Sequence, residues 1–281
     1  MKSTLKQMML VHMVGNELAA QMALEIQDWL RKNGCISTIF QATKNTSLEA
    51  DWDNVDMVLT LGGDGTLLGV ARGVLEREIP VLGLNLGKVG FLTELSPEDW
   101  QGTLEDIVVG QYALSSRLVV SFKVFRHEQE FYQGYAVNDL VISCGSLARM
   151  IRLNMWYGRD HLGMVRADGM IVATPTGSSG YSISAGGPLI YPELDVFALT
   201  PICPFLHAFR PMILPFEDDL HVEVLEADSK VYLTQDGQTG VVLRTGDKVI
   251  ASRAQKRLLL VRPLHSHYAH KLKSKGFIRE S

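Results

Sequence analysis

The chain has 281 residues, 46% hydrophobic and 21% charged, with a formal net charge of −4. That composition suits an ordinary soluble protein, long enough for one large domain or two modest ones, and its weakly acidic balance offers no broad field to draw nucleic acid or an anionic membrane. No apolar stretch nears the roughly 20 residues a spanning helix needs, and the N-terminus lacks the basic-then-apolar layout of a signal peptide, so a cytoplasmic location without membrane or nucleic-acid partners is expected.

The first hundred residues alternate between strand and helix patterns. Met8 to Val14 is a short apolar run, after which Leu18, Met22, Ile26, Trp29 and Leu30 fall on one helical face, and Gly34 is placed to stop that helix. A second apolar run, Val55 to Leu61, leads into a glycine loop; Leu67 to Leu75 then reads as a helix and Val81 to Leu86 as a further strand. This order predicts an α/β N-terminal domain with a parallel sheet and crossover helices.

From about Leu118 the texture changes to short strands. Val120, Phe122 and Val124 alternate with Ser121 and Lys123, and Leu220, Val222 and Val224 alternate with His221 and Glu223. Phe131 to Val137, Met150 to Tyr157, Met170 to Thr174, Lys230 to Thr234 and Leu258 to Val261 are further strand candidates. The expected division is therefore 1–100 for the α/β domain and 101–263 for a β-rich, sandwich-like second domain, with the cleft between them forming the site.

Residues 59–69 carry the strongest chemical signal, Leu-Thr-Leu-Gly-Gly-Asp-Gly-Thr-Leu-Leu-Gly. Gly62, Gly63 and Gly65 let backbone amides approach phosphate oxygens, and Thr66 can cap the following helix or lend a hydroxyl. Asp64 would repel that anion, so its place suggests a group that handles a proton or a metal beside a phosphate. Two better-known loops do not fit. A dinucleotide fingerprint counted from Gly63 and Gly65 requires glycine where Leu68 stands, and a Walker loop fails because Gly83 and Gly87-Lys88 enclose three residues rather than four and Val89 follows.

A second constellation lies at 166–188, where Arg166, Asp168 and the strand Met170 to Ala173 lead into Thr-Pro-Thr-Gly-Ser-Ser-Gly-Tyr-Ser-Ile-Ser-Ala-Gly-Gly-Pro. So many hydroxyls and glycines make a poor core and a good surface for close approach by a polar ligand. Cys35, Cys144 and Cys203 are odd in number and far apart, which reads as reduced thiols. His265, His267 and His270, flanked by Lys271, Lys273 and Lys275, read as a solvated basic tail in preference to a metal site.

With these residues in view, the chain resembles the bacterial-type NAD kinase family. The Gly-Gly-Asp-Gly-Thr loop at 62–66, the Asn-Leu-Gly-x-x-Gly-Phe-Leu-Thr-Glu run at 85–94, Asn138-Asp139, the 166–188 segment and Asp236-Gly237-Gln238 follow the family's order and spacing, and Pro201-Ile-Cys-Pro with Arg210-Pro211 and Leu214-Pro215 is similar to its later proline-rich stretch. The resemblance covers nearly the whole chain.

It implies phosphorylation of the 2′-hydroxyl of the adenosine ribose of NAD by ATP, or by another donor such as polyphosphate, with a divalent cation, Mg or Mn, balancing charge and a metal site that is not specified. Asp64 would be the general base, and Gly62, Gly63, Gly65 and Thr66 the loop on the donor phosphate. Asn138 and Asp139 would hold the adenosine, with aspartate at 139 where glutamate is usual. Ser179 and Gly180 stand where threonine and alanine are usual, and Gly65 and Ser184 also join the NAD-binding set. Arg166 and Asp168 would meet the nicotinamide half, often in a neighbouring subunit's site, with Arg149 a basic contact beyond the Asn-acid pair. Tyr181 would stack on a ring and Gln238 both donate and accept. The family's fold also implies that residues 264–281 return to the first domain, and its habit is a homodimer or homotetramer.

Rival readings are a lipid kinase of the diacylglycerol or sphingosine type, which shares a glycine-aspartate-glycine loop but calls for a membrane face, an oxidoreductase, for which the fingerprint fails, and a non-catalytic nucleotide or NAD sensor, for which Asp64 beside phosphates would serve little purpose.

Overall fold

The computed structural model describes residues 5–43, 50–87, 90–145, 150–207, 209–227 and 229–278. These form two compact units, Met1–Ser116 with Leu258–Ser281, and Arg117–Arg257.

The first unit opens with strand β1 (Gln7–Met13), helix α1 (Glu17–Lys32) and strand β2 (Ile36–Ala42). Asn16 caps α1 by accepting from the amide of Ala19 at 3.1 Å. At the other end Gly34, at φ +76°, donates to Arg31 O while Cys35 donates to Leu30 O, the paired bonds of a left-handed glycine stop. The buried stripe of α1 is Ala19, Ala23, Ile26 and Leu30, spaced four, three and four. Leu18, expected on that face, is exposed: it sits one residue, about 100° of rotation, off the stripe that small alanines open to the sheet.

Strand β3 (Met57–Gly62), helix α2 (Asp64–Val74), strand β4 (Val81–Asn85), helix α3 (Trp100–Val108) and strand β5 (Ala113–Arg117) follow. Met8, Leu10, Met57, Leu59, Leu61, Leu82 and Leu84 point to one face, where they pack with α1 and α3. The alternate residues meet α2 on the other face, where a methyl at Gly83 would lie 2.9 Å from Leu67 Cδ1. Burial on both faces is why these strands read as unbroken apolar runs.

The second unit is two antiparallel sheets. One has strands β6 (Val120–Arg126), β7 (Gln129–Ala136), β9 (Ile151–Tyr157), β10 (Asp160–Ala167), β14 (Leu220–Ala227) and β17 (Lys248–Arg253), and the other β8 (Asp139–Cys144), β11 (Gly169–Ala173), β12 (Val196–Ile202), β13 (Met212–Pro215), β15 (Val231–Gln235) and β16 (Thr239–Leu243). Phe122, Leu153, Met155 and Val222 from the first meet Leu140, Met170, Val172, Phe197 and Leu233 from the second in one core, the layering of a sandwich. The outer face of the second sheet is also buried, since Val141, Ile171, Ala173 and Ala198 pack with Ile190 from the segment that follows the short helix α4 (Tyr181–Ser184).

The chain then re-enters the first unit. Strand β18 (Leu258–Arg262) lies beside β4, giving the order β2-β1-β3-β4-β18-β5, and helix α5 (Tyr268–Ser274) follows. Leu258 to Val261 was expected among the strands of the β-rich half. Its apolar pattern defines a strand but carries nothing about which sheet receives it.

Candidate functional site

In the first unit β1, β2, β3 and β4 run parallel. The chain leaves β1 toward β2 on one side and returns as β3 on the other, so the carboxyl ends of β1 and β3 mark the switch in strand order where open α/β sheets hold ligands. The 62–66 loop occupies that position. Gly62 ends β3 and Gly63 caps α2, whose first residue is Asp64. A methyl on Gly62 would lie 2.4 Å from Thr66 Oγ1, so this glycine lets the loop close on its own threonine; Gly63 faces open space. Gly65 is exposed and Thr66 half-buried, on the first turn of the helix. Amides at a helix N-terminus favour an anion there.

The Asp64 carboxylate is held by the backbone of the 90–94 segment. Oδ2 accepts from Phe91 N at 2.8 Å, and Oδ1 accepts from Leu92 N at 3.1 Å and Thr93 N at 3.3 Å. A methyl on Gly90 would sit 2.1 Å from Asp64 Oδ1 and 2.4 Å from Thr93 Oγ1, which explains a glycine at that point. A carboxylate has about four lone-pair positions. Oδ1 takes these two amides and, at 3.5 Å, the Thr93 hydroxyl, while Oδ2, with one amide bond among the described residues, retains a position for a further donor.

In the second unit the ends of β8, β11 and β15 converge. Asp236, at φ +50°, accepts from the amides of Val137 at 3.3 Å, Asn138 at 2.7 Å and Asp139 at 3.3 Å, and its own amide donates to Asp139 O at 2.9 Å. Gln238 stands half-buried two residues on, its amide donating to Gln235 O. Among the described residues nothing bonds the buried Asn138 Oδ1 or the buried Thr176 Oγ1. An unsatisfied buried polar atom costs about 1–3 kcal/mol, a cost that a ligand donor would remove. Asp139 is buried, and burial first, then the charge of Asp236, push its carboxyl up to about 7.

The segment after β11 differs from its reading as a hydroxyl-lined surface. Thr174, Ser178 and Ser182 are fully buried, and their hydroxyls are used inside the fold. Thr174 Oγ1 donates to Val137 O at 2.6 Å, Ser178 Oγ donates to Pro175 O at 2.7 Å and accepts from Ile190 N at 3.0 Å, and Ser182 Oγ meets Thr200 Oγ1 at 3.0 Å. These bonds fasten the segment to Val137, Ile190 and Thr200 and leave Ser179 half-buried and Gly180, Tyr181 and Ser184 exposed.

Arg166 and Asp168 stand apart from that cluster. Register pairs Gly169 with Ser143 and Ala173 with Asp139, so Asp168 lies at the opposite end of β11, roughly 17 Å away at about 3.4 Å per residue. Arg166 is exposed, with its guanidinium 5.7 Å from the centre of the Phe205 ring. Arg149 lies outside the described residues. Among the described residues no three His, Cys, Asp or Glu side chains gather to hold a metal, the His265, His267 and His270 stretch included.

Sequence reading missed two features here. The 90–94 backbone holds Asp64 through amides that any residue but proline would supply, and Asp236 has a structural task that its motif does not announce.

A parallel-sheet unit with a glycine-aspartate loop at its switch point and a sandwich carrying an Asn-Asp pair define a two-unit nucleotide-handling protein. Residues 37–112 match the ATP-NAD kinase N-terminal domain and residues 137–263 the ATP-NAD kinase C-terminal domain. The chain is 43% identical over its full length to an NAD kinase of Nitratidesulfovibrio vulgaris, covering 99% of it, and 40% identical over its full length to one of Oleidesulfovibrio alaskensis, covering 96%. A solved NAD kinase from Archaeoglobus fulgidus in complex with ATP superposes with a TM-score of 0.80 at 26% identity, covering 97% of this chain and 100% of that one. Yeast NADH kinase complexed with NADH shares the fold, with a TM-score of 0.88 at 21% identity over 100% of this chain and 90% of that one. The chain belongs to the ATP-NAD kinase family.

Proposed function

We propose that the protein transfers the terminal phosphate of ATP to the 2′-hydroxyl of the adenosine ribose of NAD, giving NADP, with Asp64 accepting the hydroxyl proton. The observation that carries the role of Asp64 is its setting: a carboxylate at the N-terminus of α2, beside the open Gly63, with a lone-pair position left on Oδ2. As the proton passes to Oδ2, the 2′-oxygen bonds to the γ-phosphorus, the bond from that phosphorus to the β–γ bridging oxygen breaks, and ADP leaves. Such transfer demands positioning and charge neutralisation more than covalent help. The helix-end amides and the Gly62, Gly63, Gly65 and Thr66 loop supply part of that neutralisation.

The described residues build no cage of three or more metal-ligating side chains. Mg or Mn would be held chiefly by the ATP phosphates, as Mg²⁺ commonly is with few protein ligands, and the open position on Asp64 Oδ2 stays with the 2′-hydroxyl. The cation would supply charge balance on the transferring phosphoryl group.

Asn138 and Asp139 hold the adenosine in this reading. The unbonded Asn138 Oδ1 suits an adenine amine, and an ionised Asp139 suits ribose hydroxyls. A carboxylate base at the 2′-hydroxyl disfavours a dinucleotide already phosphorylated there. Ser179, Gly180, Tyr181, Ser184 and Gln238 line the same ligand. Arg166 and Asp168 serve the nicotinamide half, with Arg149 a basic contact beyond the Asn-acid pair, and the separation of Asp168 from Asp139 suits service to a neighbouring copy in a homodimer or homotetramer. A cytoplasmic setting agrees with a described chain in which no helix is long and apolar enough to cross a membrane.

The test is to incubate purified protein with NAD, ATP and Mg²⁺ and identify the product. NADP phosphorylated at the adenosine 2′-position is expected; NAD binding without NADP would leave a sensor.

A further inference from the structure

Helix α5 grips the far side of the segment that holds Asp64. Lys271 Nζ donates to Phe91 O at 3.0 Å, to Thr93 O at 3.1 Å and to Glu94 Oε1 at 2.7 Å. Lys271, expected in a solvated tail, has a side chain only 14% exposed, and that of Glu94 is 5% exposed. Ser266 Oγ donates to Glu94 Oε2 at 2.6 Å, and the Phe277 ring stands edge-on to Phe91 with centroids 5.5 Å apart.

The peptide group between Phe91 and Leu92 touches both charges. Its carbonyl accepts from Lys271, and its N–H donates to Asp64 Oδ1. An ammonium on the carbonyl polarises the amide and strengthens the bond it gives. The Phe91 amide, which holds Oδ2, belongs to the same tethered stretch.

We propose that Lys271 is a positioning residue for Asp64, acting with Glu94 through the 91–94 backbone to fix which carboxylate oxygen faces the substrate hydroxyl. The inference rests on Asp64 being the base. Without Lys271 the Phe91 and Thr93 carbonyls and Glu94 lose their shared donor, and with it the tether that orders the amides, and misplacement by about 1 Å can cost about 100-fold in rate.

The experiment is a double-mutant cycle on the full chain, with NADP formation from NAD and ATP as readout. Lys271→Met is expected to lower kcat about 10- to 100-fold with KM for NAD changed by less than about threefold, and Glu94→Gln to lower kcat in the same direction. In an Asp64→Asn background, Lys271→Met is expected to change the residual rate by less than about twofold, because the group it positions is gone. An equal fractional loss in both backgrounds means a general structural role and overturns the proposal. So does an unchanged kcat in Lys271→Met when Asp64→Asn is impaired, which leaves the base assignment standing. Full turnover in Asp64→Asn alone removes the base assignment and this inference together. Should Lys271→Met not fold, the same cycle with Glu94→Gln decides it by the same outcomes.

Discussion

The carboxylate of Asp236 accepts the backbone amide of Asn138 at 2.7 Å. With the amides of Val137 and Asp139 on the same carboxylate, the turn before β8 is wrapped around a fixed negative charge, as the 91–93 backbone is wrapped around Asp64. Removing that charge leaves three amides without their acceptor, each worth about 1–3 kcal/mol if it stays buried. Asp236→Ala is expected to lower stability by about 3 kcal/mol in chemical denaturation and to raise KM for NAD at least about tenfold, with a much smaller effect on kcat. An unchanged KM would detach Asp236 from the ligand site.

Asp139 makes stability and binding depend on pH. Its carboxyl titrates near 7 in the fold, against an ordinary value of 3.8, because it is buried and faces Asp236. The native state therefore holds a proton that the unfolded chain releases, and the stabilisation is fully present below about pH 4 and lost as pH rises through about 7. The change is on the order of 4 kcal/mol. Denaturation midpoints are expected to fall from pH 5 to 8, and to fall less in Asp139→Asn. Binding of NAD follows the opposite sign, because ribose hydroxyls need the ionised carboxylate as acceptor. Calorimetric affinity is expected to rise between pH 6 and 8 in the parent and to be weak and flat in Asp139→Asn.

Two neighbouring glycines are expected to respond differently to alanine. A methyl on Gly177 would lie 2.1 Å from Asn138 O and 2.4 Å from its carbonyl carbon, both backbone atoms. Gly177→Ala must displace Asn138, at about 2–3 kcal/mol of stability and with NAD binding reduced beyond about tenfold. At Gly180 the nearest atom is Gly177 O at 3.2 Å, which needs only a small adjustment. Gly180→Ala is expected to keep KM for NAD within about twofold. Equal tolerance at both positions would contradict the packing of this turn on Asn138.

The α/β order, the sandwich and the glycine loop were legible because apolar period and glycine placement are local properties. Leu18 misled because a hydrophobic residue near a stripe is not necessarily on it, and alanines held the positions closest to the sheet. The hydroxyls of Thr174, Ser178 and Ser182 misled because a serine or threonine carries no mark of whether its partner is a ligand or the protein's own carbonyl. Asp64 could be picked out, but not its amide partners in the 91–93 backbone, since backbone donors are blind to side-chain identity. Lys271 read as tail because a charged, apolar-poor segment gives no local sign of the Glu94 that receives it.

The most direct test is kcat for NADP formation by Asp64→Asn, a substitution that keeps one oxygen for the Leu92 and Thr93 amides while removing the basic carboxylate and the acceptor of Phe91 N. General-base catalysis contributes about 10²- to 10⁴-fold, so a fall of that size is expected, with KM for NAD changed far less. A kcat equal to that of the parent would contradict the assignment of Asp64 as the group that takes the 2′-hydroxyl proton.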